Sequence, residues 1–182
     1  MTIIDRLLAG AAAVIAGVAA TMSAAPVQAA SADPVSSVQQ TYAAATAALL
    51  RGDVGEWASK VPLSKDFVLF SPFGGTPSRY ADYTPARIER MGRFFKNGRD
   101  HRQEFVETFA TPDMIVLATI ERDHVEVGGL PGQDWALRVT SVFKREGSRW
   151  VLAHRHADPL VGDVSLSQAA QIARGGREPA GK

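Results

Sequence analysis

The chain contains no cysteine. That absence excludes thiol nucleophiles, zinc-cysteine centres, redox-sensing thiols and disulfides, so an ordinary hydrophobic core has to hold the fold. Charge of one sign is missing too: 20 lysines and arginines against 19 aspartates and glutamates leave a net charge of +1. The two signs are interspersed, without the basic cluster that a nucleic-acid-binding arm requires, and no nucleic-acid partner is expected. Long apolar runs are also wanting. The stretch from Leu7 to Met22 is mostly alanine and glycine, and it falls short of the roughly 20 apolar residues that a spanning helix needs.

What is present suits one domain with an appendage: 182 residues, 46% of them hydrophobic, enough for a core. Arg6 precedes the uncharged run Leu7 to Ala20, and Val27-Gln28-Ala29 puts small residues where a signal peptidase reads. Residues 1–29 are therefore expected to be a cleaved secretory signal. The mature protein would then be exported, periplasmic or secreted, and free of the membrane. Residues 30–34 form a flexible stub, 35–161 the domain, and 162–182 a partly disordered tail ending in "RGGREPAGK".

Within the domain the hydrophobic period changes once. From Pro34, the residues Val35, Val38, Tyr42, Ala45, Leu49 and Leu50 recur at helical spacing up to Gly52. Asp53 caps a second, short helix through Trp57 to Lys60. "DFVLFSPFGG" begins as a strand and breaks at Pro72, Gly74 and Gly75. Thr84 and Pro85 open a third helix with the stripe Ile88, Met91, Phe94 and Phe95, ended by Gly98. After Arg102 the period is two, giving strands at Gln103 to Ala110, Met114 to Val127, Trp135 to Arg145 and Arg149 to Ala157. Their connections "TPD", "GGLPGQD" and "EGS" are short, which favours antiparallel neighbours. The expected fold is α+β, with about three helices covering one face of a curved antiparallel sheet and leaving a cone-shaped cavity suited to a small molecule.

"DFVLFSPFGG" and the ending "RVTSVFKREGSRWVLAHRHADPL" resemble the nuclear transport factor 2-like superfamily, in particular its SnoaL-like and ketosteroid isomerase-like branches. The resemblance covers residues 35–161 and implies the cone fold and a homodimer formed through the sheet. It leaves activity open, because the superfamily includes isomerases, cyclases, dehydratases, hydrolases, binding domains and oligomerisation hubs. Ketosteroid isomerases carry a general-base aspartate at the end of the first strand. The resemblance puts Ser71 in that place. A serine does not abstract a proton unaided, which argues against steroid isomerisation by that route.

Strict alternation in the last strand puts Trp150, Leu152, His154, His156 and Asp158 on one face. His154 and His156 are then the candidate acid/base pair, with Asp158 orienting His156. The alternative is that the histidines fill a polar gap or bond across a dimer contact. A His-x-His pair also suits zinc or iron, but a metal needs a third ligand. His101, Asp123 and His124 lie on elements whose facing alternation does not fix, and neither a metal nor another cofactor is expected.

On the preceding strand Arg138 and Thr140 share a face. Arg138 either holds an anionic ligand or pairs with Glu121 or Glu126. Tyr80 and Tyr83 lie where a lid over the cone is expected, or else staple the third helix, and Trp150 and Ser71 complete the candidate ligand-binding set. Trp57, Phe67, Phe94 and Phe95 are assigned to the core. Three functions fit: a small-molecule pocket without turnover, an acid/base isomerase, dehydratase or hydrolase without redox cofactor, and a structural or dimerisation module.

Overall fold

The carboxylate of Asp33 accepts a hydrogen bond from Ser36 N at 3.1 Å and starts α1, Pro34–Leu50, with proline in the first turn, where no backbone donor is lost. This begins the part of the chain that the computed structural model describes, residues 33–174. The expected leader over 1–29, the start of the stub and the end of the tail lie outside the described residues. Asp53 Oδ1 accepts from Glu56 N at 2.8 Å and caps α2, Val54–Lys60. Thr84 Oγ1 accepts from Arg87 N and caps α3, Pro85–Phe94. A capping box at Ser165 starts α4, Leu166–Ala173, whose Leu166 and Ile172 are exposed. Among the described residues no helix is long and apolar enough to cross a membrane.

Six strands form one sheet in the order β2-β1-β6-β5-β4-β3. They are β1 Leu63–Phe70, β2 Ser78–Arg79, β3 Phe95–Ala110, β4 Met114–Val127, β5 Leu130–Glu146 and β6 Arg149–Pro159. The expected α+β cone is present. One pair departs from the antiparallel expectation: β1 lies parallel to β6, with Leu69 opposite Arg155 and Phe70 opposite His156. The short loops that suggested antiparallel pairing join β3 to β6, whereas β1 reaches its partner over the whole domain.

Helix α1 lies across the concave face, where Val38, Tyr42 and Ala45 pack with Phe67, Ile115, Leu117, Phe143 and Leu152. Burying each large apolar side chain of this set contributes about 1.5–3 kcal/mol. Trp57 and Phe67 are in the core as expected, but Phe94 is exposed and Phe95 is only half-buried.

The third helix ends four residues before Gly98, because Phe95 and Lys96 pair with Val127 and Glu126 of β4. Ladder bonds along the sheet edge outweigh the helical stripe there. Gly98 then lies so close to α1 that a Cβ would stand 2.6 Å from the backbone of Leu50. The predicted loop "GGLPGQD" is likewise mostly strand. Gly128 and Gly129, at φ 60° and 89°, make a two-residue hairpin turn, and Leu130 already pairs with Val127.

Register shifts bend the sheet. The β3–β4 ladder slips near Arg99 and near Phe105, with Asn97 and Asp100 in the left-handed region at φ 55° and 59°. In β6 a single bulge matters most. Phe143 is opposite Leu152 and Val142 is opposite His154, so Ala153 is an extra residue. Alternation therefore does not run through β6, and the expectation that Trp150, Leu152, His154, His156 and Asp158 share one face is corrected. Trp150 and Leu152 pack with the core, but beyond the bulge Arg155 and Ala157 face inward while His154, His156 and Asp158 face outward.

Candidate functional site

Helices α1 to α3 and the concave face enclose a cavity of about 230 Å³. Its walls are mostly apolar: Trp57, Phe67, Leu69, Met91, Leu137 and Leu152 among them, with Phe73, Phe94, Phe95 and Trp135 at one end. Charged groups interrupt them: Arg87 from α3, and Glu121, Asp123 and Arg155 from the sheet. Glu121 and Asp123 come from β4, where period two puts them in one row with Ile115, Leu117, Thr119, Val125 and Val127. Arg155 enters from β6 because of the bulge. Tyr42 joins them from α1.

The sheet's groups and Tyr42 form two hydrogen-bonded sets. In the first, Arg155 Nη2 donates to Glu121 Oε2 at 2.7 Å, Arg155 Nε donates to the Tyr42 hydroxyl at 3.0 Å, and Ser141 Oγ donates to the same hydroxyl at 2.7 Å. Gln103 Nε2 reaches the other Glu121 oxygen at 3.3 Å. Glu121 is almost fully buried. Burial alone would pull the Arg155 guanidinium down, but the opposing Glu121 carboxylate holds it above its ordinary range. Burial, reinforced by the Glu121 charge, pushes the Tyr42 phenol up to about 12. The phenol is thus neutral, and with two donors on its oxygen its own proton is directed elsewhere.

In the second set His101 Nδ1 lies 2.7 Å from Asp123 Oδ1. Burial raises the Asp123 carboxyl above the usual carboxylate range, and the bond to His101 only partly offsets this. Behind both sets His101 Nε2, Gln103 Oε1 and Thr119 Oγ1 are buried without a partner among the described residues, which leaves hydrogen-bonding capacity unspent on this side of the sheet.

Of the candidate residues read from the sequence, Tyr83 and Ser71 line the cavity. Tyr83 packs edge-on to Phe67 and carries the Arg87 guanidinium 5.0 Å from its ring centre. Ser71 is occupied by its own turn, its Oγ accepting from Phe73 N at 3.2 Å. Tyr80 lies outside, against Ala58 and Ile88. Trp150 lines two surface grooves and not the cavity.

His154, His156, Asp158, Arg138 and Thr140 belong to the outer face; the bulge turns the three β6 residues there, and in β5, where Leu137, Val139 and Ser141 are buried, period two does the same for Arg138 and Thr140. His154 Nδ1 bonds Val68 O at 3.0 Å and ties β6 to β1. His156 and Asp158 approach to 3.5 Å with both side chains half exposed. Arg138 is exposed opposite Asp158, and neither acidic partner considered for it is taken up that way: Glu121 goes to Arg155, and Glu126 accepts from Asn97. Among the described residues no group of three potential ligands gathers for a metal. His101 and Asp123 do meet, while His124 pairs separately with Asp134 at 3.0 Å.

The residues that sequence reading missed are Arg155, Tyr42, Ser141 and the Asp123–His101 pair. A signal for the carboxylates was available, since two acids stand in an otherwise apolar row of a central strand. None was available for Arg155, whose facing depends on an extra residue that leaves no mark in composition.

A small-molecule-sized cavity between helices and the concave face of a bent sheet defines an α+β cone. No family model matches the chain and no curated protein matches it. Solved structures do. An NTF2-like protein from Cytophaga hutchinsonii superposes with a TM-score of 0.57 at 15% identity, over 70% of this chain and 99% of that one. A candidate dehydratase of the NTF2-like family from Streptomyces avermitilis gives 0.55 at 19% identity, over 70% and 96%. A candidate scytalone dehydratase from Novosphingobium aromaticivorans gives 0.57 at 11% identity, over 69% and 83%. At such identities the likeness concerns architecture: the chain has the NTF2-like fold.

Proposed function

We propose that the cone binds a small, uncharged, mainly apolar molecule bearing a carbonyl or hydroxyl oxygen, and acts on it by acid/base proton transfer as an isomerase or dehydratase. One observation carries this reading: a carboxylate, Asp123, lines an apolar cavity, is bonded to His101, and has its proton affinity raised by burial. Such a group takes a proton from carbon more readily than an ordinary carboxylate and can return it to another carbon or to a departing hydroxyl. Tyr42 is the donor for the oxygen on which negative charge grows. Neither reaction needs a redox partner.

The Arg155–Glu121 pair makes no demand for an anionic ligand, because Glu121 already neutralises that cation inside the protein, and Arg87, also on the wall, is engaged with Ser78 and the Tyr83 ring. The dehydratase names of two similar folds agree with this reading without carrying it. The leader-like composition of residues 1–29 supports export. The outer face of the sheet, where Phe109 and Met114 are exposed, supports a homodimer.

The test is hydrogen exchange at carbon. With one- and two-ring β-hydroxy ketones in deuterated buffer, the parent protein is expected to exchange the proton next to the carbonyl. Asp123→Asn is expected to lose about 100-fold or more of that rate, the lower end of a general-base contribution, while still binding the ketone. Equal exchange by the parent and Asp123→Asn would overturn the assignment. Binding without exchange in either would leave a carrier of the same ligand class in place of an enzyme.

A further inference from the structure

Between β1 and β2 the chain forms a tight turn over the aromatic end of the cavity. Gly74 N donates to Ser71 O at 3.0 Å, and Phe73 N donates to Ser71 Oγ. Gly74 and Gly75 follow at φ 72° and 85°, and a Cβ on either would meet nothing within 4 Å. Two consecutive residues in the left-handed region, a conformation that glycine adopts without strain and other residues do not, lead the chain out of the turn.

Phe73 stands inside the turn, its backbone held by those two hydrogen bonds while its side chain takes no part in them. It is 50% exposed, yet it lines the cavity. Its ring reaches two other elements: it meets Phe94, at the end of α3, edge-on with centroids 5.4 Å apart, and Trp135 of β5 at 5.7 Å and 36°. Phe94 is itself partly exposed and leans on Phe95 at 5.0 Å. The backbone of the turn is held by hydrogen bonds within itself, whereas the Phe73 ring reaches the rest of the protein through this aromatic contact. Aromatic edges separate and re-form without stranding a polar group, so the contact can open at little cost.

We infer that the Phe73 ring is the gate of the cavity: it turns about its own side-chain bonds between a closed position against Phe94 and Trp135 and an open one, and this motion sets the rate at which ligand enters and leaves. The inference rests on the proposal that the cone takes a small apolar molecule, and it goes beyond that proposal in naming the residue that controls access. A gate differs from a wall in a measurable way. Removing a wall contact speeds departure only, whereas removing a gate speeds entry and departure together and leaves affinity nearly constant.

The experiment is stopped-flow binding of 2-naphthol, followed by tryptophan fluorescence, to the parent, Phe73→Ala and Phe73→Tyr. Phe73→Ala is expected to raise both rate constants by about tenfold, the size of effect that relief from a conformational step produces, and Phe73→Tyr to restore the parent rates. An unchanged association rate with faster dissociation would make Phe73 a wall and overturn the gate while leaving the pocket standing. No binding by any of the three would overturn the pocket and the gate together. A readout independent of ligand is fluorine NMR of 4-fluorophenylalanine at position 73. Exchange between two environments supports the gate, and one sharp resonance without relaxation dispersion overturns it.

Discussion

At the scale of single residues, Asp123 meets two opposed demands. Burial raises its carboxyl above the ordinary value of 3.8, so the folded protein holds that proton more tightly than the unfolded chain does. Between the ordinary value and the raised one, folding takes up a proton, and rising pH favours unfolding. The ionised group is therefore a net cost at neutral pH. Asp123→Asn is expected to melt at or above the parent near pH 7, with the difference closing toward about pH 4 as the parent carboxyl becomes neutral; thermal unfolding at several pH values checks this. Arg155 behaves in the opposite sense. Arg155→Met leaves the almost fully buried Glu121 carboxyl without its guanidinium partner, and a loss of about 3–5 kcal/mol is expected in urea unfolding. The sequence showed the two carboxylates, in a row of apolar partners, but not what they face. His154 and His156 drew attention because histidine titrates near neutrality, and that property says nothing about which side of a sheet a side chain occupies.

Among the elements, β6 decides the site. With strict alternation, the strand would turn its histidines toward α1; with Ala153 inserted, it turns Arg155 there. Deleting Ala153 makes the ladder regular without changing any face beyond it, since inward Leu152 is then followed directly by outward His154; Arg155 is expected to keep Tyr42 and Glu121, and the variant to lose far less stability than Arg155→Met. Urea unfolding of the two variants side by side measures this. Most of the remaining architecture was legible. The caps at Asp53 and Thr84 and β4 from Met114 to Val127 follow from local chemistry and period. What was not legible depends on partners: the end of α3 yields to the edge ladder with β4, and the parallel pairing of β1 with β6 joins segments that no short connection links.

For the whole molecule, the two faces of the sheet have different work. The concave face is spent on α1 and the cavity. The outer face bears Phe109 at 62% exposure and Met114 at 47% on β3 and β4, with β5 between them and the β6 histidines that the bulge turned outward. If that face joins two copies, Phe109→Glu is expected to give monomers in sedimentation velocity where the parent gives dimers, with the cavity unaffected.

The bonds from Tyr42 to Ser141 and Arg155 span 99 and 113 positions of sequence. Contacts so remote are among the last a folding chain can make, because the loops they close are long and the strands between must already be aligned. The residues of this cluster are thus expected to come together after the folding transition state. Weakening them should leave the folding rate nearly unchanged and shorten the lifetime of the native state instead. Until β6 is in place, Tyr42 and Glu121 lack the arginine that joins them, and an unfinished chain has no assembled cavity.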